Sequence, residues 1–250
     1  MCRWRPLSIY RRLFCRKGYG VHSPFVFDLI TNVIEEQRPY YYYRKLAMAW
    51  LSLRHNKQPV TCRGRQTTVQ KMVRVHGITE KEGQWLFRLA NHYHPRTILV
   101  AGSSMGLVPF CLTGYASGLH CITLENEADM AAMAGAFLEK KARSPVEIHA
   151  GAYDKRLPEV LEMLPRIDCL FIGQALDAEM QEHIFNQCLS SMHGETFCII
   201  GGIRSSAAHR QCWRKLCAHP KVTATVDLCT SGLIFFQPKL HRRTYKNIIR

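Results

Sequence analysis

Thr97-Ile98-Leu99-Val100-Ala101-Gly102-Ser103-Ser104-Met105-Gly106 is the stretch that decides the fold. Five uncharged, mostly apolar residues run into a turn flanked by two glycines, and a helical pattern opens at about residue 107. A short apolar strand handing over to a helix through glycines is a β-α unit. Glycines there let a ligand approach the backbone, and the helix start offers free N–H groups. The next β-rich run, residues 120–124, ends at Glu125. An acid at the tip of the second strand, about 20 residues beyond the glycine turn, is where nucleotide-binding sheets hold a ribose diol. Glu125 also reads as a solvated strand-end charge. Gly151-Ala152-Tyr153 follows the third run, placed either to lie under an adenine or to form an ordinary loop.

Outward from this segment the alternation continues. Further strand-like runs lie at 146–150, 168–172 and 196–201, with helical patterns at 107–116, 127–142, 155–164, 177–192 and 205–218. Strands separated by crossover helices form a parallel sheet. The rhythm then breaks. Residues 222–228 and 233–237 are separated by four residues, which allows only an antiparallel hairpin. The expected fold is α/β: a Rossmann-like, seven-stranded, mostly parallel sheet with an antiparallel C-terminal hairpin, helices on both faces and a helical N-terminal extension. Asp168 reads as a strand-start charge or a partner for a sheet-edge amide, Asp154 as a helix N-cap and His149 as a core histidine.

Upstream, Leu7, Tyr10, Leu13 and Phe14 make one face of a short helix, with Arg11, Arg12, Arg16 and Lys17 elsewhere on it. Ser23-Pro24 is an N-cap followed by a first helical residue, opening a helix to about Glu36. Tyr40 to Tyr43 lead into a helix ending near His55 and read as packing material. Residues 56–70 read as a polar loop. Thr79 and Glu82 form a capping box. The expected division is a basic helical extension over 1–75, the sheet domain over 76–240 and a basic tail over 241–250.

The 250 residues carry a formal charge of +15, unevenly placed. Residues 1–75 hold +12, residues 238–250 hold +5, and the stretch between them is −2. Basic ends imply an anionic partner: a nucleic acid, an anionic membrane surface or an acidic substrate. The stretch from Thr97 to Leu124 has no Asp, Glu, Lys or Arg, but its four glycines and Pro109 suit strand-turn-helix-turn better than a membrane span. The eleven cysteines include no C-x-x-C pair. With a polybasic N-terminus that lacks an apolar signal region, they read as free thiols in a reducing, cytoplasmic setting. His209, Cys212, Cys217 and His219 fit no zinc spacing.

The chain resembles class I S-adenosylmethionine-dependent methyltransferases, most closely the small-molecule O-methyltransferase branch. The residues that carry this are Gly-Val-His-Ser-Pro-Phe-Val-Phe at 20–27, Leu86-Phe87-Arg88-Leu89, the Gly102–Gly106 turn and the closing stretch at 226–236. The resemblance implies S-adenosylmethionine as cofactor, held by Gly102, Ser103, Ser104, Gly106, Glu125, Gly151 and Ala152, and a small-molecule acceptor. The motifs are degenerate. Val100 stands where that branch carries an acid, Gly173-Gln174 where it carries Asp-Gly, and Gly201-Gly202 where it carries a carboxylate pair. Hard cations need oxygen ligands, so no metal site is expected and no catalytic residue is assigned. The expected function is metal-independent methyl transfer. The alternatives are an inactive methyltransferase-fold binding module and a nucleic-acid methyltransferase that uses the basic ends.

Overall fold

The computed structural model describes Tyr10, Arg11, Cys15, residues 17–62 and residues 64–249. The expected helix over residues 7–14 lies largely outside the described residues. The main sheet is built from β3 (Thr97–Ala101), β4 (His120–Glu125), β5 (Glu147–Ala150), β6 (Ile167–Ile172), β7 (Met192–Gly201), β8 (Ala224–Asp227), β9 (Ser231–Phe235) and β10 (Arg243–Lys246). Its order is β10-β8-β9-β7-β6-β3-β4-β5. The strands from β3 to β7 pair in parallel, and β9 is antiparallel to both β7 and β8. The closing hairpin is therefore placed as the four-residue connection requires.

Period-two alternation within each strand builds two cores. Ile98, Val100, Phe171 and Phe197 face one layer of helices, and Leu99, Ala101, Leu170 and Cys198 face the other. The first layer contains α1 (Pro24–Leu29), α2 (Tyr41–Arg54), α4 (Glu80–Tyr93) and α5 (Leu107–Leu112); α6 (Ala128–Lys141) borders it through Phe137 and Leu138. The second contains α7 (Tyr153–Met163), α8 (Ala178–Cys188) and α9 (Ala207–Ala218). Helices on both faces are what a parallel sheet with both faces apolar demands.

Local capping follows the sequence. Ser23 accepts from Val26 N, and Thr79 with Glu82 makes the full capping box of α4. The helix expected to reach Glu36 ends instead in a π turn, Ile30–Ile34. The buried Arg88 serves the carbonyls freed there, with Nε donating to Val33 O at 2.7 Å and Nη2 to Ile34 O at 3.5 Å, while Nη1 donates to Tyr43 Oη at 2.7 Å. Tyr42 is buried and stacks on Phe87, with centroids 4.8 Å apart. Asp168 accepts from the backbone N–H of Arg96 and Thr97 at 2.9 and 3.0 Å, locking β6 to the start of β3.

Four expectations are corrected. The sheet has eight strands, not seven, because Arg243–Lys246 of the expected tail pairs in parallel with β8. Residues 56–70 are not a loop. They form the hairpin β1 (Pro59–Cys62) and β2 (Arg65–Thr68) and lead into α3 (Val69–His76), capped by Thr68. Asp154 is not an N-cap; that position is Ala152. Arg11, expected off the apolar helix face in a basic end with an anionic partner, is 1% exposed. Its Nη1 donates to Asp227 Oδ1 and Asp227 O, both at 2.8 Å, and to Asn247 O at 3.1 Å. A guanidinium is buried only where acceptors surround it, and here they come from the ends of β8 and β10.

Candidate functional site

A cleft of about 730 Å³ opens at the C-terminal ends of β3, β4, β5 and β6. In open parallel sheets this edge, where the strand order reverses between β3 and β6, is the ligand edge. Gly102, Ser104, Glu125 and Ala152 line it. Ser103, Gly106 and Gly151 do not.

The turn after β3 shows why. Gly102 (φ +82°) and Gly106 (φ +84°) take conformations that disfavour side chains, and Ser104 and Met105 between them are also left-handed. A Cβ on Gly106 would lie 2.9 Å from the Phe137 ring, so the turn sits directly on α6. The N–H groups expected to be free at the helix start are used inside the turn. Gly106 N donates to Ser103 Oγ at 3.0 Å, and Val108 N to Ser103 O at 3.0 Å. Ser103 is fully buried.

Glu125 is 5% exposed and folded back on that turn. Its Oε1 accepts from Ser103 N at 2.6 Å and from Ser103 Oγ. Burial raises its pKa above the ordinary carboxylate value, and the two bonds from Ser103 act against that rise. Gly151 N donates to Glu125 O at 2.9 Å, so Gly151 supports the backbone of the acid from behind.

Sequence reasoning missed three features of the cleft. The first is its outer wall. Val69, Met72 and Val73 of α3 pack with Met105 of the turn and Met130 of α6, while Cys62, Val75 and His76 face the cleft. The spacing of Val69, Met72 and Val73 after Thr68 was a usable helix signal. The second is charge. The lining includes Glu125, Glu127, Asp154 and Asp177 and, among the described residues, no Lys or Arg, in a chain of +15. The third is Gln181, 1% exposed. Its Nε2 donates to Gly173 O at 3.0 Å and Gly201 O at 2.9 Å, tying together the ends of β6 and β7.

Those strand ends are where the resemblance places metal carboxylates. A Cβ on Gly201 would lie 2.8 Å from Gln174 N, and one on Gly202 would lie 3.0 Å from Gln174 Cβ. The backbone after β6 therefore occupies the space a side chain would need. Among the described residues no group of three His, Cys, Asp or Glu side chains converges as a metal site, and the described cysteines are free thiols. No helix among them is long and apolar enough to cross a membrane.

No family model matches the chain, and no curated protein sequence matches it. Solved structures do. The O-methyltransferase from Bacillus cereus in complex with SAH superposes with a TM-score of 0.59 at 18% identity, covering 84% of this chain and 97% of that one. The O-methyltransferase TomG from Streptomyces achromogenes, in complex with SAM, gives 0.58 at 15% identity, covering 94% and 97%. SAH-bound PaMTH1 of Podospora anserina gives 0.60 at 14%, covering 80% and 98%. The chain therefore has the fold of the O-methyltransferases, along nearly the whole length of each.

Proposed function

We propose that the protein is an S-adenosylmethionine-dependent methyltransferase that works without a metal on a neutral or cationic small-molecule acceptor. The observation that carries this is a cleft at the ligand edge of an O-methyltransferase fold, bordered by the carboxylates of Glu125, Asp154 and Asp177 and, among the described residues, by no Lys or Arg. The cofactor supplies an electrophilic methyl group on a cationic sulfonium. Carboxylates around the cleft favour such a cation and disfavour an anionic acceptor through the same field. The residues present fit the group: the volume lies in the range of ligand pockets, Gly102 presents bare backbone, and Glu125 offers a carboxylate whose Oε1 is already fixed. Its other oxygen is assigned to the ribose hydroxyls. The chain's own contribution to rate is positioning, because methyl transfer depends mainly on aligning the acceptor with the methyl carbon.

Metal independence rests on the glycines at 173, 201 and 202 and on the backbone of Gln174 that fills the space beside them. The acidic lining also weighs against polyanionic nucleic acid in the cleft. The inactive-module reading has one observation in its favour: Glu125 is closed onto Ser103 and Gln181 seals the neighbouring strand ends.

Calorimetric titration with S-adenosylmethionine and S-adenosylhomocysteine, followed by a screen of neutral and amine acceptors with and without EDTA, tests the proposal. Binding of both, with transfer that survives EDTA, is expected. No binding at millimolar cofactor overturns it. Binding without transfer to any acceptor leaves the inactive module. Activity lost to EDTA and restored by magnesium overturns metal independence.

A further inference from the structure

A second cavity, of about 380 Å³, lies at the opposite edge of the sheet, at the N-terminal ends of β3, β6 and β7. Five residues of β3 separate the two edges, about 16 Å at the rise of an extended strand. The methyltransferase reading does not use this cavity. Its size is within the range of small-molecule pockets. Four rings form its floor. Phe25 of α1 meets Phe235 of β9 edge-on at 5.0 Å, and Tyr93, the last residue of α4, lies 5.3 Å from Phe197 of β7 and 5.9 Å from Phe25.

Two side chains that line this cavity carry polar groups with no partner among the described residues. The Tyr93 hydroxyl is buried and has no hydrogen-bond partner among the described residues. A buried hydroxyl without a partner is costly, and most such groups are satisfied by protein, water or ligand. Burial raises the Tyr93 pKa, so the phenol remains protonated and a donor at every physiological pH. The second group is Arg96, which is exposed at the rim. The other charged groups there are engaged. Arg166 pairs with Asp168 at 3.3 Å and Glu195 at 3.4 Å, and Asp168 also meets His193 Nε2 at 2.9 Å. The Arg96 guanidinium has no ion pair among the described residues; only its backbone N–H and C=O are bonded.

We propose that this cavity binds a small aromatic acid. Its ring lies on the Phe25, Tyr93, Phe197 and Phe235 floor, a polar atom accepts from Tyr93 Oη, and its carboxylate meets Arg96. Flat rings gain from offset and edge contacts with such a floor, and a guanidinium pairs with a carboxylate in a fork. A bound acid would bridge α1, α4 and the sheet, elements that share one core.

The test uses the full chain without cofactor. Indole-3-acetate and the uncharged indole-3-acetamide are titrated by calorimetry and by backbone amide NMR. The acid is expected to bind about tenfold more tightly than the amide, because a charge-assisted bond outweighs a neutral one. Arg96→Met should remove that preference. Tyr93→Phe should weaken both probes about three- to tenfold without lowering the melting temperature, since it deletes a hydroxyl that has no partner. Shift changes should cluster at residues 93–97 and 194–197. No binding of either probe at about 10 mM overturns the proposal. So does binding unaffected by both substitutions, or shift changes centred on residues 102–104 and 125–127.

Discussion

Ser103 N donates to Glu125 Oε1 at 2.6 Å across 22 residues of sequence, joining the glycine turn after β3 to the tip of β4. The Ser103 hydroxyl donates to the same oxygen and accepts from Gly106 N. One carboxylate therefore both fixes the turn and borders the cleft. Removing Glu125 and removing Ser103 should separate these roles. Glu125→Ala deletes the ribose acceptor, and a charge-assisted bond is worth about 1.5–3 kcal/mol. S-adenosylmethionine affinity should fall by about tenfold or more. Ser103→Ala leaves the carboxylate and the backbone N–H bond to it in place but deletes the hydroxyl that links Glu125 Oε1 to Gly106 N. Its main effect should be a stability loss of about 1–3 kcal/mol, with a smaller change in affinity. Chemical denaturation and calorimetry on both variants check this. Equal loss of affinity in the two would place the ribose away from Glu125.

Gln181 gives a second separable prediction. Its amide serves two buried carbonyls, Gly173 O and Gly201 O. Gln181→Leu conserves the bulk but removes the side-chain donor from both carbonyls, leaving Gly173 O only the Leu176 N–H at 3.4 Å, so the cost should be about 1–3 kcal/mol. Amide hydrogen exchange should rise at the ends of β6 and β7 and not at β10. Uniform exchange across the sheet would mean that the stitch is not local.

Much of the fold is legible because it is written in local periods. The charge-free Thr97–Ala101 run, the four-residue link before β9 and the Thr79–Glu82 box each specify their element from neighbouring residues. β10 does not. Arg243, Thr244 and Lys246 are exposed and only Tyr245 is buried, so one side chain in four carries the pattern. The β1–β2 hairpin hides for the same reason, with no residue fully buried. In the site, the glycines and Glu125 stand out by position. The engagement of Glu125 with Ser103 does not, because it depends on a side-chain direction. The acidity of the cleft is also illegible in the sequence, since Asp154 lies in the first turn of α7 and Asp177 caps α8, two helix starts whose convergence only the sheet order decides. Arg11 misleads most. Its partner is 216 residues away, so local charge counting assigns it to an external anion.

The acid lining should distinguish the cofactor from its product by charge. S-adenosylmethionine carries a sulfonium that S-adenosylhomocysteine lacks, and Glu125, Asp154 and Asp177 border the cleft, with no Lys or Arg among its described lining residues. Salt screens exposed charges over about 10 Å at 0.1 M and about 3 Å at 1 M. Raising salt from about 0.05 to 0.5 M should weaken S-adenosylmethionine by about threefold or more and leave S-adenosylhomocysteine nearly unchanged. Parallel titrations measure the two slopes. Identical slopes would show that the carboxylates do not contact the field of the sulfonium.

The Arg11–Asp227 pair ties Arg11 into the folded body. Both side chains are buried, and Arg204 meets the other carboxylate oxygen. Burial by itself would raise the Asp227 pKa. The Arg11 hydrogen bond, the Cys229 N–H and the charges of Arg11 and Arg204 outweigh it and hold the pKa below the ordinary value. A carboxylate whose folded pKa is depressed stabilises the protein above its unfolded pKa, about 3.9. That contribution is lost as pH falls through the lower folded value. Asp227→Asn should remove this part of the acid sensitivity, flattening stability against pH below about pH 4. At pH 7 it leaves the buried Arg11 charge without a counterion, which costs about 3–5 kcal/mol. Arg11→Met with Asp227→Asn, a pair of apolar and neutral replacements, should recover much of that loss, because the buried charge goes with its partner. Denaturant titrations of the three variants from pH 3 to pH 7 decide it. Arg11→Met alone unfolding no more easily than the parent would show that the arm is dispensable to the fold, and an unchanged acid limb in Asp227→Asn would assign the pH dependence to other carboxylates.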